Sequence, residues 1–271
     1  MDHATPDLSH LKSGMKATWM AGDFSQIAHF TAPEAENFVA RLGIPAGAKV
    51  LDVACGSGNT AVPAAKSGAA VTGVDIATNL LEKARERAAR EEVNVEFKEG
   101  DAEDLPFPDS SFDVVLTMFG AMFAPRPEKV ASELMRVCKP GGLIAMANWT
   151  PQGFVGKSFQ LTAKMVPPPP VPAPVLWGDE SVVKQRLGSG SKRLDCTRQY
   201  AEFVYPFTPR ETVDFFRRYF GPTQMAFARL DDERQQMLAQ QLEALWSEHN
   251  SATDGTTTVE GEYLDVRAIR A

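Results

Sequence analysis

The chain has 271 residues, 44% of them hydrophobic, enough to bury a large core in one domain with elaborations. Its formal charge of −7 argues against a nucleic-acid groove, which needs clustered Lys and Arg to displace counterions. No apolar stretch reaches the about 18 residues of a membrane span, and the Met-Asp-His-Ala start lacks the parts of a signal peptide; a cytoplasmic protein with no membrane partner is predicted.

Cys55, Cys138 and Cys196 are odd in number and too far apart for a metal-ligand pattern. They read as reduced core residues, and no metal is expected. Lys83, Arg85, Arg87 and Arg90 alternate with acids on one predicted helix, the pattern of a solvated face.

In chain order, Trp19, Phe24, Ile27 and Phe30 are separated by polar residues and predict a short helix and a loop over 1–30. Thr31-Ala32-Pro33-Glu34 has the shape of a capping box, which predicts a helix opening there, carrying Phe38, Val39 and Leu42 inward and running to Gly43. Pro45 and Gly47 then feed a first strand, Lys49–Ala54. A glycine turn follows, then a helix over about 59–66, a second strand around Val71–Val74, and a helix over about 79–91 with Leu81, Ala84 and Ala88 inward.

Asn94–Lys98 reads as a short strand and Phe112–Met118 as a continuous apolar strand buried on both faces. Pro127 sits near the start of a helix bearing Val130, Leu134 and Val137, closed by Lys139-Pro140-Gly141-Gly142. Leu143–Trp149 is the fifth strand. Five strands alternating with four helices predict an α/β fold with a doubly wound, parallel sheet.

The alternation stops at Pro151. Residues 151–178 contain a proline-rich run, Val166 to Pro174, suited to a stiff extended lid. Beyond it come a helix over about 180–187, a strand near 195–204, a capping box at Thr208-Pro209-Arg210-Glu211 opening a helix, a longer helix after Asp231, and a closing strand over about Thr257–Ile269. The whole chain is expected to be one domain: N-terminal lid helices over 1–44, a ligand-binding core over 45–150, and lid, insertion helices and closing strands over 151–271.

The chemistry is written at the strand ends. Val50-Leu51-Asp52-Val53-Ala54-Cys55-Gly56-Ser57-Gly58 joins an apolar strand to an acid and a turn of small residues; the second strand ends in another acid, Asp75. Such a unit lets an adenosine-containing cofactor approach the backbone and holds its ribose. The turn formally permits a dinucleotide Gly-x-Gly-x-x-Ala pattern. Three features decide against a nicotinamide or flavin: Asp52 two residues before the small-residue turn; a third acidic station at Gly100-Asp101-Ala102-Glu103-Asp104; and the two segments that lead into strands four and five, Asp109–Asp113 and Arg136–Gly142.

With these motifs in order over residues 45–150, the chain resembles the class I S-adenosylmethionine-dependent methyltransferases. The likeness is to the branch holding the ubiquinone/menaquinone C-methyltransferases and many small-molecule methyltransferases. The resemblance implies a seven-stranded, mostly parallel sheet whose last strand is antiparallel and inserted between the fifth and sixth, a role Thr257–Ile269 fits. Ala54 departs from the commonest motif, which has Gly there.

The resemblance implies S-adenosyl-L-methionine as cofactor, with Asp52 near its amino group and Ala54, Gly56 and Gly58 against its methionine portion and ribose. Asp75 would accept the ribose hydroxyls, Ile76 would lie on the adenine face, and Asp101, with Ala102 and Glu103 beside it, would accept the adenine amine. Met118 and Phe119 would lie near the transferred methyl, and Trp19 would close over the cofactor. Phe24, Met122, Phe123 and Trp177 are the expected acceptor-binding residues within a set of lid aromatics. No catalytic base is singled out, since His29 and His249 each stand alone. The expected partner is a small-molecule methyl acceptor; the alternatives are a non-catalytic cofactor-binding protein and a nicotinamide-dependent oxidoreductase.

Overall fold

A computed structural model describes residues 8–271. Ten α-helices and seven strands follow in the order α1 (Leu8–Met20), α2 (Phe24–Leu42), β1 (Lys49–Val53), α3 (Ala61–Lys66), β2 (Ala70–Asp75), α4 (Thr78–Arg90), β3 (Val95–Glu99), β4 (Phe112–Met118), α5 (Pro127–Val137), β5 (Cys138–Trp149), α6 (Phe154–Met165), α7 (Glu180–Leu187), β6 (Ser191–Tyr205), α8 (Pro209–Tyr219), α9 (Gly221–Ala228), α10 (Asp232–His249) and β7 (Thr257–Arg270), counted among the described residues. Short 3-10 turns at Ala121–Phe123 and Pro174–Gly178 cap the ends of β4 and of the proline run.

The strands form one sheet in the order β3-β2-β1-β4-β5-β7-β6. β1 to β5 are parallel, and β7 runs antiparallel between β5 and β6. Strand order reverses between β1 and β4, so their C-terminal ends flank a crevice, the place where open α/β sheets take ligands. Right-handed crossovers put α3 and α4 on one face, where Val62 and Ala84 both lie against Gly58, and α5 on the other. The central strands are buried on both faces: Val50, Leu51, Val53, Val115, Leu116, Ile144 and Met146 are fully enclosed.

Three local expectations are corrected. α2 starts at Phe24 rather than after Thr31, capped by the Asp23 carboxylate, which accepts from the Ser25 amide at 3.1 Å. The apparent capping box lies inside the helix because both of its side chains are engaged elsewhere. Thr31 donates to the Ala28 carbonyl (3.1 Å), and Glu34 accepts from Arg41 (3.0 Å) and from the Tyr263 hydroxyl. α6 occupies 154–165, a stretch expected in the extended lid; its sequence carries no proline, and the proline run begins only at Pro167. β5 begins at Cys138, five residues early, because the Lys139–Gly142 stretch forms an irregularity in the β4–β5 pairing; a side chain at Gly142 would meet the Asp113 carbonyl at 2.8 Å. A further helix, α9, was not predicted. The capping box at Thr208 is present with both reciprocal bonds.

α1 buries no residue of its own and is held by ion pairs and by packing on α9. Lys16 pairs with Glu99 and Lys12 with Asp101 and Glu103, while Gly22 bridges to Phe220. The helix sits tightly on α9: a Cβ at Gly221 would lie 1.9 Å from the Thr18 carbonyl. Gly221→Ala should therefore release α1 while leaving the sheet intact. The check is limited proteolysis, which should cut within 8–22 at an otherwise protected core; an equally resistant variant would refute the docking.

Candidate functional site

The site grows from three strand ends. β1 runs out through Ala54 (φ 56°), Gly56 (φ 52°) and Gly58 (φ 84°), left-handed conformations that favour glycine. Each has a distinct reason. A Cβ at Gly58 would lie 3.4–3.6 Å from Val62, Ala84 and Phe97, so the glycine lets the loop press on the core. Gly56 leaves its amide free to donate to the Asp75 carboxylate at 2.8 Å. Ala54 is small because Gly120, just past β4, abuts it; a Cβ at 120 would stand 2.4 Å from the Ala54 carbonyl oxygen.

Asp75 ends β2 and is buried. Its second oxygen accepts from the Ala77 amide at 2.8 Å, so one carboxylate ties the glycine loop to the start of α4. Burial pushes its pKa up, and the amides of Ala77 and Gly56 oppose the shift. Asp52, fully enclosed, accepts from the Thr60 hydroxyl at 2.6 Å through one oxygen; its other oxygen, Oδ1, has no partner among the described residues. Burial pushes its pKa up to about 7, and the nearby Asp75 charge adds to the rise against the Thr60 bond.

The turn after β3 continues the acidic rim. The Gly100 amide donates to the Asp75 carbonyl at 3.1 Å, which sets Asp101 beside the end of β2. Asp101 accepts from the Glu103 amide (2.9 Å) and pairs with Lys12. Glu103 is buried and turned inward: it accepts from the Arg126 amide (2.6 Å) and side chain (2.8 Å) and pairs with Lys12. Ala102 is buried beneath the same turn, and Ile76 is half-buried after Asp75.

Phe119 adopts φ 60°, a strained value for a bulky residue, and stacks on Trp149 with ring centroids 3.5 Å apart. Its neighbour Met118 is half-buried. Trp19, Phe24 and Phe123 come together: Trp19 meets Phe123 at 4.9 Å and Phe24 at 5.7 Å, and Phe24 lies 3.9 Å from where a Gly56 Cβ would be. Phe220 and Phe159 join this group. Met122 is buried under the 121–123 turn. Trp177 is not in the aromatic group; it is enclosed on the α5 side of the sheet with the Arg186 guanidinium 4.4 Å over its ring.

Three polar groups of this region were not anticipated. Lys12 lies on α1, where no pattern marks it. Asn79, at the start of α4, has a buried oxygen without a partner. Asn148 is 1% exposed inside β5 with neither amide atom bonded among the described residues; an amide within the apolar run Leu143–Trp149 is the signal that would have found it. Cys55 and Cys138 are buried and Cys196 half-buried, all three unpaired, and burial holds the Cys55 thiol well above its usual range.

A protein-family profile described as a methyltransferase domain matches residues 51–146. The uncharacterized protein Rv1405c of Mycobacterium tuberculosis is 37% identical over 252 residues, covering 92% of this chain and 91% of that protein. The demethylmenaquinone methyltransferase of Clavibacter sepedonicus is 41% identical over 125 residues, 45% of this chain and 51% of its own length. Among solved structures, Haemonchus contortus phosphoethanolamine N-methyltransferase 2, in complex with phosphomonomethylethanolamine and S-adenosylhomocysteine, superposes with a TM-score of 0.55 at 22% identity, over 88% of this chain and 53% of that one, a likeness of fold.

The Asp52 carboxyl gives a pH signature independent of any ligand. Its folded pKa, about 7, lies above the ordinary 3.8, so the folded state binds the extra proton and the stability Asp52 contributes is lost as pH rises from about 4 through 7. Asp52→Asn removes the titration. In urea unfolding, the variant should gain on the wild type from pH 5 to pH 8; a constant difference would show that Asp52 does not titrate there.

Proposed function

We propose that this chain, which belongs to the class I S-adenosylmethionine-dependent methyltransferases, transfers a methyl group by in-line displacement to a small-molecule acceptor in the cytoplasm. The observation that carries the site assignment is the Asp75 carboxylate binding the Gly56 and Ala77 amides beside the unpartnered Asp52 oxygen. The residues fit the donor. Left-handed Gly56 and Ala54 leave room for close backbone approach, and Asp52 Oδ1 is a buried carboxyl oxygen without a partner among the described residues, an acceptor suited to the donor's ammonium. Asp75 keeps lone pairs for ribose hydroxyls, since each of its oxygens accepts one amide in the structure. Ile76, Asp101 and Ala102 line the adenine side, with Glu103 fixing the turn through Arg126 and Lys12.

S-adenosylmethionine supplies an activated methyl on a sulfonium, so the protein need not provide a nucleophile. Its task is to align two molecules and exclude water, worth up to about 7–11 kcal/mol in the best intramolecular cases. Trp19, Phe24 and Phe123 form an apolar cover over the glycine loop, while Met118 and the rigidly stacked Phe119 border the reacting end. No histidine of the described residues enters these contacts, which favours an acceptor that ionises by itself or is a free amine. The acidic chain favours a small acceptor over RNA, and three unpaired cysteines accord with a reducing compartment.

Calorimetry with S-adenosylhomocysteine tests the reading. Asp75→Ala should weaken binding by about 2–4 kcal/mol, since hydrogen bonds to a charged acceptor and the loop anchor are lost together. Unchanged affinity in a folded variant would remove Asp75 from the site. Thermal protection by NAD in place of S-adenosylhomocysteine would overturn the donor assignment. Incubation with labelled methyl donor and a cell extract then identifies the acceptor by mass, and binding without transfer would mark a non-catalytic protein.

A further inference from the structure

Neighbouring side chains on β5 alternate between faces. Trp149 lies opposite Tyr263, whose hydroxyl bonds Glu34 of α2, so Trp149 faces α2 and Asn148 faces the α5 side. That side of the strand end is roofed by the 174–178 turn. Gly178 packs so closely that a Cβ there would stand 2.2 Å from the Trp149 carbonyl. The turn carries Trp177, which sits beneath Arg186 of α7; Arg186 in turn faces Glu128 of α5 at 3.7 Å. Asn148 and Trp177 are therefore enclosed on the same face, at the end of the sheet where the glycine loop lies.

Both are 1% exposed, and both amide atoms of Asn148 and the indole nitrogen of Trp177 have no hydrogen-bond partner among the described residues; Arg186 Nη1 is a fourth such atom. An unmet buried polar group is costly, so a core that needed only packing would favour leucine at 148. Among the described residues, no hydrogen bond joins residues 174–178 to β5, so the roof is attached by packing.

We propose that Asn148 and Trp177 form the recognition end of the acceptor site, and that the acceptor is an ionisable hydroxy-carbonyl compound. The inference rests on the methyl-transfer reading above and deepens it. The unmet groups are donors at Asn148 Nδ2, Trp177 Nε1 and Arg186 Nη1 against one acceptor, Asn148 Oδ1. Their complement is an oxygen-rich end with one hydrogen to give: a carbonyl beside a hydroxyl. The buried, weakly paired Arg186 guanidinium adds preference for the ionised form, which is also the nucleophilic one.

Salicylamide is the probe, with benzamide, which lacks the hydroxyl, as its control; both are titrated by calorimetry into protein saturated with S-adenosylhomocysteine. The wild type should bind salicylamide at least about tenfold more tightly than benzamide, a 1.4 kcal/mol preference. Asn148→Leu should erase that preference while S-adenosylhomocysteine affinity stays unchanged. Where the leucine protein fails to fold, the near-isosteric Asn148→Asp replaces it, since a carboxylate repels the oxygen-rich end and removes the same discrimination. Equal binding of both probes by the wild type, no binding of either, or undiminished preference in the folded variant overturns the proposal. Failure of the wild type to bind S-adenosylhomocysteine is a separate outcome, and it overturns the methyl-transfer reading beneath it.

Discussion

The carboxylate of Asp75 is the constraint on which the site is built. It ends a buried strand, where a charge is expensive, and it is retained because two backbone amides compensate it. Those amides belong to different segments, Gly56 of the loop after β1 and Ala77 at the start of α4. One side chain therefore sets the spacing between two crossover connections. The left-handed turn at Gly56 aims its amide there, and the close contact of Ala54 with Gly120 fixes the same loop against the end of β4.

Around this anchor the protein keeps several costs in one place. Asp52 is enclosed with an unpaired oxygen and a raised pKa, Phe119 holds a left-handed backbone, and Asn148 and Trp177 leave polar atoms unmet. Tyr205, at the end of β6, likewise leaves its hydroxyl without a partner among the described residues, while the central strands are mainly apolar. Local violations gathered at strand ends, within a scaffold that otherwise obeys packing rules, are what a binding site on a stable fold requires. The rigid parallel strands supply precision, while the cover is assembled from α1, the aromatic group and the 174–178 turn, attached at few points.

The cover also shows how charge organises a surface helix. α1 contributes no buried residue, so its position depends on Lys12 and Lys16 reaching the acidic end of β3 and on Trp19 entering the aromatic group. The acids of that turn thus serve two ends, fixing the turn through Arg126 and drawing the N-terminal helix over it.

What the sequence determined by itself is the sheet and the loop. The apolar runs, the acids at their ends, the glycines and the capping box at Thr208 act over a few residues, and local pattern records local physics. The antiparallel place of β7 was legible through family likeness. The start of α2 was not, because the Thr31–Glu34 cap signal competes with partners such as Tyr263, more than two hundred positions away. Nor could sequence assign Trp177 to the far side of the sheet, pair Lys12 with Glu103, or show that Asn148 goes unbonded. Those facts depend on which elements meet, and only packing of the whole chain decides whether a buried polar atom finds a partner.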